Sequence, residues 1–376
     1  MKFVRLGNFI EEHCEKNKKG EDIPVFSVTN TNGFCTEYFS KDVSSKDKSN
    51  YKIVHKGFFA YNPSRINVGS VDWLRNEDKV IVSPLYNVFS VSPELEKQYL
   101  FYFLKSERGK TLIKSKAEGS VRDNLKFSIL ADFPIPMPSV EEQRKFVAKL
   151  DKASELILKY KKLLEYYDSL IKSRFIEMFG DNPIENGKWK VEKLGNLGLC
   201  KNGMNFSYED NGFEINCLGV GDFKDNAVIS NCEKLPIISL NEKPSEEYLL
   251  KDNDIVFVRS NGNKELVGRS VLVHPRVLTT FSGFCIRFRL STDSINHLFL
   301  LQFLKMPNTR KNMAGRGANI QNLNQQILSN LDIPVPQIEL QNDFATFVQQ
   351  IDKSKFEIWL YLNLCYIIEK RVFTYD

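Results

Sequence analysis

The chain has 376 residues, 42% of them hydrophobic and 26% charged, with a formal net charge of +5. That length predicts two or three domains, each able to bury its own core, and the mildly basic balance is that of an ordinary soluble protein, which does not by itself indicate nucleic acid. No stretch approaches the ~20 apolar residues of a bilayer span, Met1–Gly7 opens no apolar run of signal-peptide length, and seven cysteines without a C-x-x-C pair favour reduced thiols in a cytosolic protein over a disulfide frame.

The first head opens on Leu6-Gly7-Asn8. Strands are expected over Val25–Val28, Gly57–Tyr61 and Tyr86–Val91, which are rich in β-branched and aromatic residues and bounded by turn residues. A short helix is expected over Leu95–Lys105. Two polar segments are candidates for nucleic-acid contact. The first, Tyr61–Ser70, leaves a strand and carries Asn62, Ser64, Arg65 and Asn67. Arg can pair with guanine O6/N7 and Asn with adenine N6/N7 in a major groove, while Asn and Gly also serve turn geometry alone. The second, read as a basic loop, carries Lys110, Lys114, Lys116, Arg122, Asn124 and Lys126, a mixture suited to phosphate positioning. The head stops at Phe133-Pro134-Ile135-Pro136-Met137-Pro138.

A rod follows over 139–180. Phe146, Leu150, Ala153, Ile157, Tyr160, Leu164, Tyr167, Ile171, Arg174 and Met178 step 4-3-4-3, the spacing of a coiled coil, with Arg174 the one polar break. Glu141 and Glu142 suit the first turn, and Gly180 before Asp181-Asn182-Pro183 ends the helix. A rod of 40 residues is roughly 60 Å long.

The plan then recurs. Leu194-Gly195-Asn196 repeats the opening. Strands are expected over Ile255–Val258, Ser270–Val273 and Cys285–Leu290, and a helix over His297–Lys305. The first polar segment, Arg259–Arg269, holds Arg259, Asn261, Asn263, Lys264 and Arg269. The second holds Lys305, Arg310, Lys311, Arg316, Asn319 and Gln321, and no Asp or Glu occurs between Ser294 and Leu331. Gly119–Leu125 returns as Gly317–Leu323, and Phe133–Pro138 as Leu331–Pro336. Gln143 and Phe146 return as Gln341 and Phe344, all at one offset of 198 residues. The second rod, 337–376, has the seam Phe347, Ile351, Ser354, Ile358, Tyr361, Cys365, Ile368 and Val372. The fold class is therefore α+β: two mixed α/β heads joined by two long antiparallel coiled-coil helices, in a pseudo-twofold repeat. A duplicated head on a rod suits a partner with two separated sites, of which duplex DNA is the commonest.

Catalytic signatures are thin. There is no GxxxxGK[ST] loop, and Gly219-Val220-Gly221 is too short for a dinucleotide or methyl-donor site. Asn62-Pro63-Ser64-Arg65 approaches the Asn-Pro-Pro-aromatic loop of amino-methyltransferases but lacks the aromatic that would stack on a flipped base. His13, His55, His274 and His297 are dispersed, without metal-ligand spacing.

Four features together carry a resemblance. They are the order head, rod, head, rod; the Pro-x-Pro stops before Glu141-Glu142-Gln143 and Glu339-Leu340-Gln341; Tyr61-Asn62-Pro63-Ser64-Arg65-Ile66-Asn67; and the rod end Ser173–Asp181. Over essentially its whole length the chain resembles the specificity (S, HsdS) subunit of type I restriction-modification systems. The resemblance implies a non-catalytic subunit. Two target-recognition domains, 1–138 and 181–336, would each read half of a split sequence in double-stranded DNA. Helices 139–180 and 337–376 would fix the spacing and dock two modification (methyltransferase) subunits. Those partners would carry S-adenosylmethionine, so no cofactor is expected on this chain. Restriction subunits would join, and the complex would be cytoplasmic, with no membrane partner. Val258-Arg259-Ser260-Asn261 stands where the second head lacks Tyr-Asn-Pro-x-Arg. The alternatives are a related type IIB-like specificity subunit, a stand-alone DNA methyltransferase, which would need a methyl-donor loop, and a coiled-coil adaptor that binds protein alone.

Overall fold

A computed structural model of the chain describes residues 2–36, 47–117, 124–207, 209–223, 227–314, 322–371 and 373. The repeated Leu-Gly-Asn motif closes each head on itself. Phe3–Arg5 pairs antiparallel with Pro134–Pro136, and Lys190–Lys193 with Asp332–Val335. The amides of the fully buried Leu6 and Leu194 donate to the carbonyls of Phe133 and Leu331, both at 2.9 Å. A Cβ on Gly7 would meet that of Ala131 at 3.0 Å, and one on Gly195 that of Ser329 at 3.0 Å. The glycines are there because two backbones approach too closely for a side chain. Arg5–Asp132 and Lys193–Asp332 ion pairs flank the two closures.

By its internal contacts the chain forms two compact units, Met1–Lys162 with Ile358–Asp376, and Leu163–Glu357. In the first, an antiparallel sheet runs in the order Ile10–His13, Asn87–Val91, Phe59–Tyr61, Val71–Trp73. The expected first strand is displaced to Ser27–Thr29, with Val25 making a lone bridge to Ile81. Pro24 cannot donate to a ladder, which limits pairing at that end. Helices α1 (Lys97–Lys105), α2 (Glu107–Ala117) and α3 (Phe127–Ala131) complete the head, and α4 (Val140–Phe179) leaves it. In the second unit, after the single turn α5 (Leu194–Leu197), the strands Gly198–Asn202, Cys285–Leu290, Asp254–Val258 and Ser270–Val273 repeat the same order and directions, and Val228–Ile229 adds a fifth, parallel strand. Helices α6 (His297–Leu304), α7 (Pro307–Ala314) and α8 (Gln325–Ser329) follow, then α9 (Ile338–Arg371).

Within each unit α4 and α9 run antiparallel. In the first, Phe146 of α4 packs on Phe373 and Tyr160 stacks on Tyr361. In the second, Asp168 pairs with Lys355, and Phe175 packs edge-on against Phe344. Each unit also closes around an aromatic knot. Phe373 sits among Tyr99, Phe103 and Phe146, and Phe179 among Phe299, Phe344 and Trp189. Each such ring pair adds about 1 kcal/mol beyond its area burial. Tyr99 and Phe146 correspond to Phe299 and Phe344, so the repeat extends to the packing.

Leu150, Ala153, Ile157 and Ile171 are buried as the seam requires, but at the end of α4 the inner residues are Phe175 and Phe179, not Arg174 and Met178. A straight helix drifts ~20° per heptad against a strict 3.5 repeat. Four heptads from Phe146 thus accumulate about 80°, close to the 100° of one residue. Arg174 moves to the rim, where it donates to Glu177 and lies over the Phe347 ring. In α9 the inner row includes Val348 and Leu362, each one residue after the expected Phe347 and Tyr361, together with Ile358 and Cys365, while Tyr361 and Ile368 are exposed. Gly180, at φ 96°, ends α4.

The repeated glutamine has a definite task. Gln143 is fully buried, donates from Nε2 to the carbonyls of Glu94 and Pro138, both at 3.0 Å, and accepts the Glu96 amide at 2.8 Å. Gln341, equally buried, donates to the carbonyls of Ser294 (3.1 Å) and Pro336 (2.7 Å) and accepts the Asn296 amide at 2.9 Å. Glu96 and Asn296 are the N-caps of α1 and α6. In each unit one amide side chain therefore latches the head helix to the start of the long helix that follows it.

Candidate nucleic-acid interface

In each head the first polar segment leaves the strand at the centre of the sheet, and the end of the second segment is stitched to it. Tyr61, last in its strand and fully buried, donates its hydroxyl to the Leu125 carbonyl at 3.0 Å and accepts from Asn87 at 2.8 Å. Burial pushes that hydroxyl well above the usual tyrosine range, so it stays a neutral donor. The Leu125 amide returns a bond to the Pro63 carbonyl at 3.1 Å. In the second head the Leu323 amide donates to the Arg259 carbonyl at 2.8 Å, and Ser260 bridges Asn322. The structure thus brings Asn124 and Lys126, both exposed, beside the Asn62–Asn67 loop.

Inside these loops the asparagines shape the backbone. Asn62 Oδ1 accepts from the Ser64 amide (3.1 Å) and hydroxyl (2.9 Å). Both lone pairs are then in use, so a bidentate pair with adenine would require the turn to open. Asn261 Oδ1 accepts the Asn263 amide, and Asn263 Oδ1 that of Glu265. Ile66–Val68 forms a 3₁₀ turn closed by Gly69 at φ 94°. Ser64, Arg65 and Asn67 are exposed around it. Arg259 is half-buried and donates to the Gly283 carbonyl at 3.2 Å. Lys264 opens the turn Lys264–Leu266, and Arg269 ends the loop half-buried.

The second segments are corrected by the structure: where described, they are helical rather than looped. Lys110, Lys114 and Lys116 lie exposed on α2. Ser106 starts that helix, its hydroxyl accepting the Gly109 amide at 3.1 Å, and Ile113 anchors it in the core with Ile66 and Leu125. Arg310 and Lys311 lie on α7, which begins at Pro307, a favoured first position. Lys311 is exposed, but Arg310 turns inward and donates to the carbonyls of Glu265 (3.0 Å) and Val267 (3.1 Å). It braces the first loop from beneath. Arg122, Arg316, Asn319 and Gln321 lie outside the described residues, as does most of the repeated segment around them.

Sequence reasoning missed two features. The hairpin Ser27–Thr29/Gly33–Cys35 adds Ser27, Thr29 and Asn30 to a polar cleft of about 690 Å³ whose other wall is Asn62, Ser64, Arg65, Asn67 and Ser70. The short serine turns 83–86 and 282–285 also reach this edge of each sheet. Only the spacing of serine before an exposed apolar residue marks them in the sequence. Burial pushes the Cys200 thiol up to about 11 and those of Cys217 and Cys285 up to about 12, so they stay protonated at neutral pH. Among the described residues no group of three or more His, Cys, Asp or Glu could hold a metal ion, and no helix is long and apolar enough to cross a membrane.

Comparison with known proteins agrees with the duplicated plan. The family model of the type I restriction modification DNA specificity domain matches residues 4–165 and again 186–359. The chain is similar to the type I restriction enzyme StySPI specificity subunit of Salmonella potsdam, 27% identical over 68% of this chain and 58% of that protein, so the match spans little more than half of that relative. It is similar to the MjaVIII specificity subunit of Methanocaldococcus jannaschii, 23% identical over 93% of this chain and 85% of that protein. In fold it is similar to a type I restriction-modification S subunit from M. genitalium (TM-score 0.53, 14% identity, 98% of this chain and 93% of that one). It is also similar to a chain from a structure concerned with assembly and conformational transition of the type I R-M system (TM-score 0.54, 16% identity, 98% and 97% covered). Matched in both halves by one domain model, and built from two heads that share sheet order, closure and helix latch, the chain belongs to the type I restriction-modification DNA specificity family.

Proposed function

We propose that this chain is the sequence-reading subunit of a type I restriction-modification complex, that each head reads one half of a bipartite duplex target, and that it is not itself a catalyst. The observation that carries this reading is the shared stitch in the two heads. Leu125 to Pro63 and Leu323 to Arg259 hold a strand-exit loop rich in Asn, Ser and Arg against a segment rich in Lys and Arg. In the first head this sets exposed Ser64, Arg65 and Asn67 beside exposed Asn124 and Lys126, and in the second it ties Arg259 to Leu323; a mixture of residue types suited to base edges and to phosphates supports the reading. The heads differ in their loop residues, as two different half-targets require. Methyl transfer would belong to modification subunits that bring S-adenosylmethionine. Leu360, Leu364 and Ile367 form an exposed apolar stripe on α9 that supports a protein partner on that helix.

The test is a head exchange in the complex reconstituted with its modification subunits. Replacing residues 194–333 with the equivalent head of a relative should alter one half of the methylated sequence and leave the other intact. Changes in both halves would overturn the assignment of one head to one half. Calorimetry with S-adenosylmethionine on the purified chain should show no stoichiometric site, and finding one would overturn the non-catalytic assignment.

A further inference from the structure

Two exposed apolar residues occupy the same place in the two heads. In the first, the Tyr86 amide donates to the Ser83 carbonyl at 3.0 Å, and the Ser83 hydroxyl accepts the Leu85 amide at 3.5 Å. In the second, the Cys285 amide donates to the Ser282 carbonyl at 2.8 Å, and the Ser282 hydroxyl accepts the Phe284 amide at 3.2 Å. Both are tight turns in which a serine pins the amide two residues on. The pinned residue is 77% exposed at Leu85 and 63% exposed at Phe284. An exposed leucine alone means little. Here the same exposure recurs on the same turn in heads whose sequences otherwise diverge.

The sheet explains where these turns lie. Each leads into the strand paired antiparallel with the one that ends in the candidate loop: Asn87 lies opposite Tyr61, and Cys285 opposite Val258. One strand enters where its neighbour exits. The Phe284 carbonyl accepts the Arg259 amide at 2.8 Å, and Arg259 itself donates to Gly283. Tyr86, next to Leu85, lines the polar cleft with Asn62 and Arg65. Both turns are therefore closed by their own hydrogen bonds and apolar at the tip; the second is fixed by backbone bonds to the segment that carries Arg259, and the first stands beside its loop across the Tyr61–Asn87 pair.

We infer that Leu85 and Phe284 are specificity-determining residues, each making an apolar contact with a thymine 5-methyl group in the half-target its head reads. The inference rests on the proposed duplex-reading function. In the major groove the thymine methyl is the apolar mark on a base edge, and an apolar side chain beside a donor such as Arg259 reads it without a hydrogen bond. Because the turns are already fixed, little ordering cost opposes the contact.

The experiment uses the complex with its modification subunits and the duplex whose sequence is given by mapping methylated adenines, with thymines replaced one at a time by uracil. Burying a methyl group is worth ~0.8 kcal/mol, so the wild-type complex should lose about fourfold in affinity at one thymine in each half-target. Phe284→Ala should bind the full target roughly tenfold more weakly, a loss typical of one base contact. It should also lose its response to uracil in its own half-target while keeping the response in the other half. Leu85→Ala should show the converse, and Phe284→Leu should retain both responses. A wild-type complex that selects its target but responds to no uracil substitution overturns the inference alone, as do alanine variants that respond like the wild type. A wild-type complex that does not distinguish the target from a scrambled duplex overturns the reading beneath it.

Discussion

Replacing Gln143 or Gln341 with leucine, which is close in volume, removes a latch without opening a large cavity. Each glutamine makes three hydrogen bonds from a fully buried side chain. At about 1 kcal/mol net per bond, the loss is ~3 kcal/mol for either variant. For a unit of this size that lowers the midpoint of thermal unfolding by about 6–12 °C. Because the partners correspond one for one, the two substitutions should cost the same within ~1 kcal/mol, each in the transition of its own unit. Scanning calorimetry of the single and double variants is the assay. A loss below ~1 kcal/mol, or a large cost at Gln143 with none at Gln341, would refute the claim that the repeat preserves a working latch.

Three further outcomes follow from the same geometry. Lys114→Ala and Lys116→Ala on the exposed face of α2 should weaken binding alike on all duplex sequences and reduce the salt dependence by about one unit per lost phosphate contact. A sequence-selective loss would instead make them base readers. Arg310→Ala should leave that salt slope unchanged but loosen the 259–269 loop, seen as faster amide exchange at Glu265 through Gly268, because the side chain bonds loop carbonyls. A reduced slope would return it to the phosphate contacts. Lys305 is pushed down from 10.5 to about 8, mainly by burial, with Asp168 and Asp352 pulling upward and Lys355 and Arg269 downward. Between those two values the folded state binds fewer protons than the unfolded, so stability of the Leu163–Glu357 unit should rise with pH across that window. Lys305→Met should remove that rise in denaturant titrations, and an identical pH profile would refute the burial of its charge.

Much of the architecture was legible in the residues because it rests on local periodicity and on repetition. The 4-3 spacing needs only one helix to be visible, and from Phe146 to Met178 and from Phe347 to Ile368 it lies within α4 and α9, Val372 being outside the described residues. The strands Ser270–Val273 and Cys285–Leu290 match their β-branched runs. The repeated Leu-Gly-Asn, Pro-x-Pro and Gln signals each marked a contact that both heads preserve. Their tasks were not legible, since a glycine against Ala131 or a glutamine against Glu94 depends on residues far away in sequence.

The sequence by itself determined the order of elements, the duplication and the residue types offered to a partner. Tertiary structure decided which of those residues are available. Arg310 and Lys311 are neighbours in one basic run, yet one faces solvent while the other bonds the carbonyls of Glu265 and Val267. Asn62 looked like a base reader, but its oxygen holds the Ser64 turn. Arg174 broke a seam that, by helical drift, the fold had already passed to Phe175. The physical reason is common to all three. Charge, hydrogen-bonding capacity and period are properties of the chain, whereas whether a group faces water or a carbonyl is fixed only when distant segments close on one another.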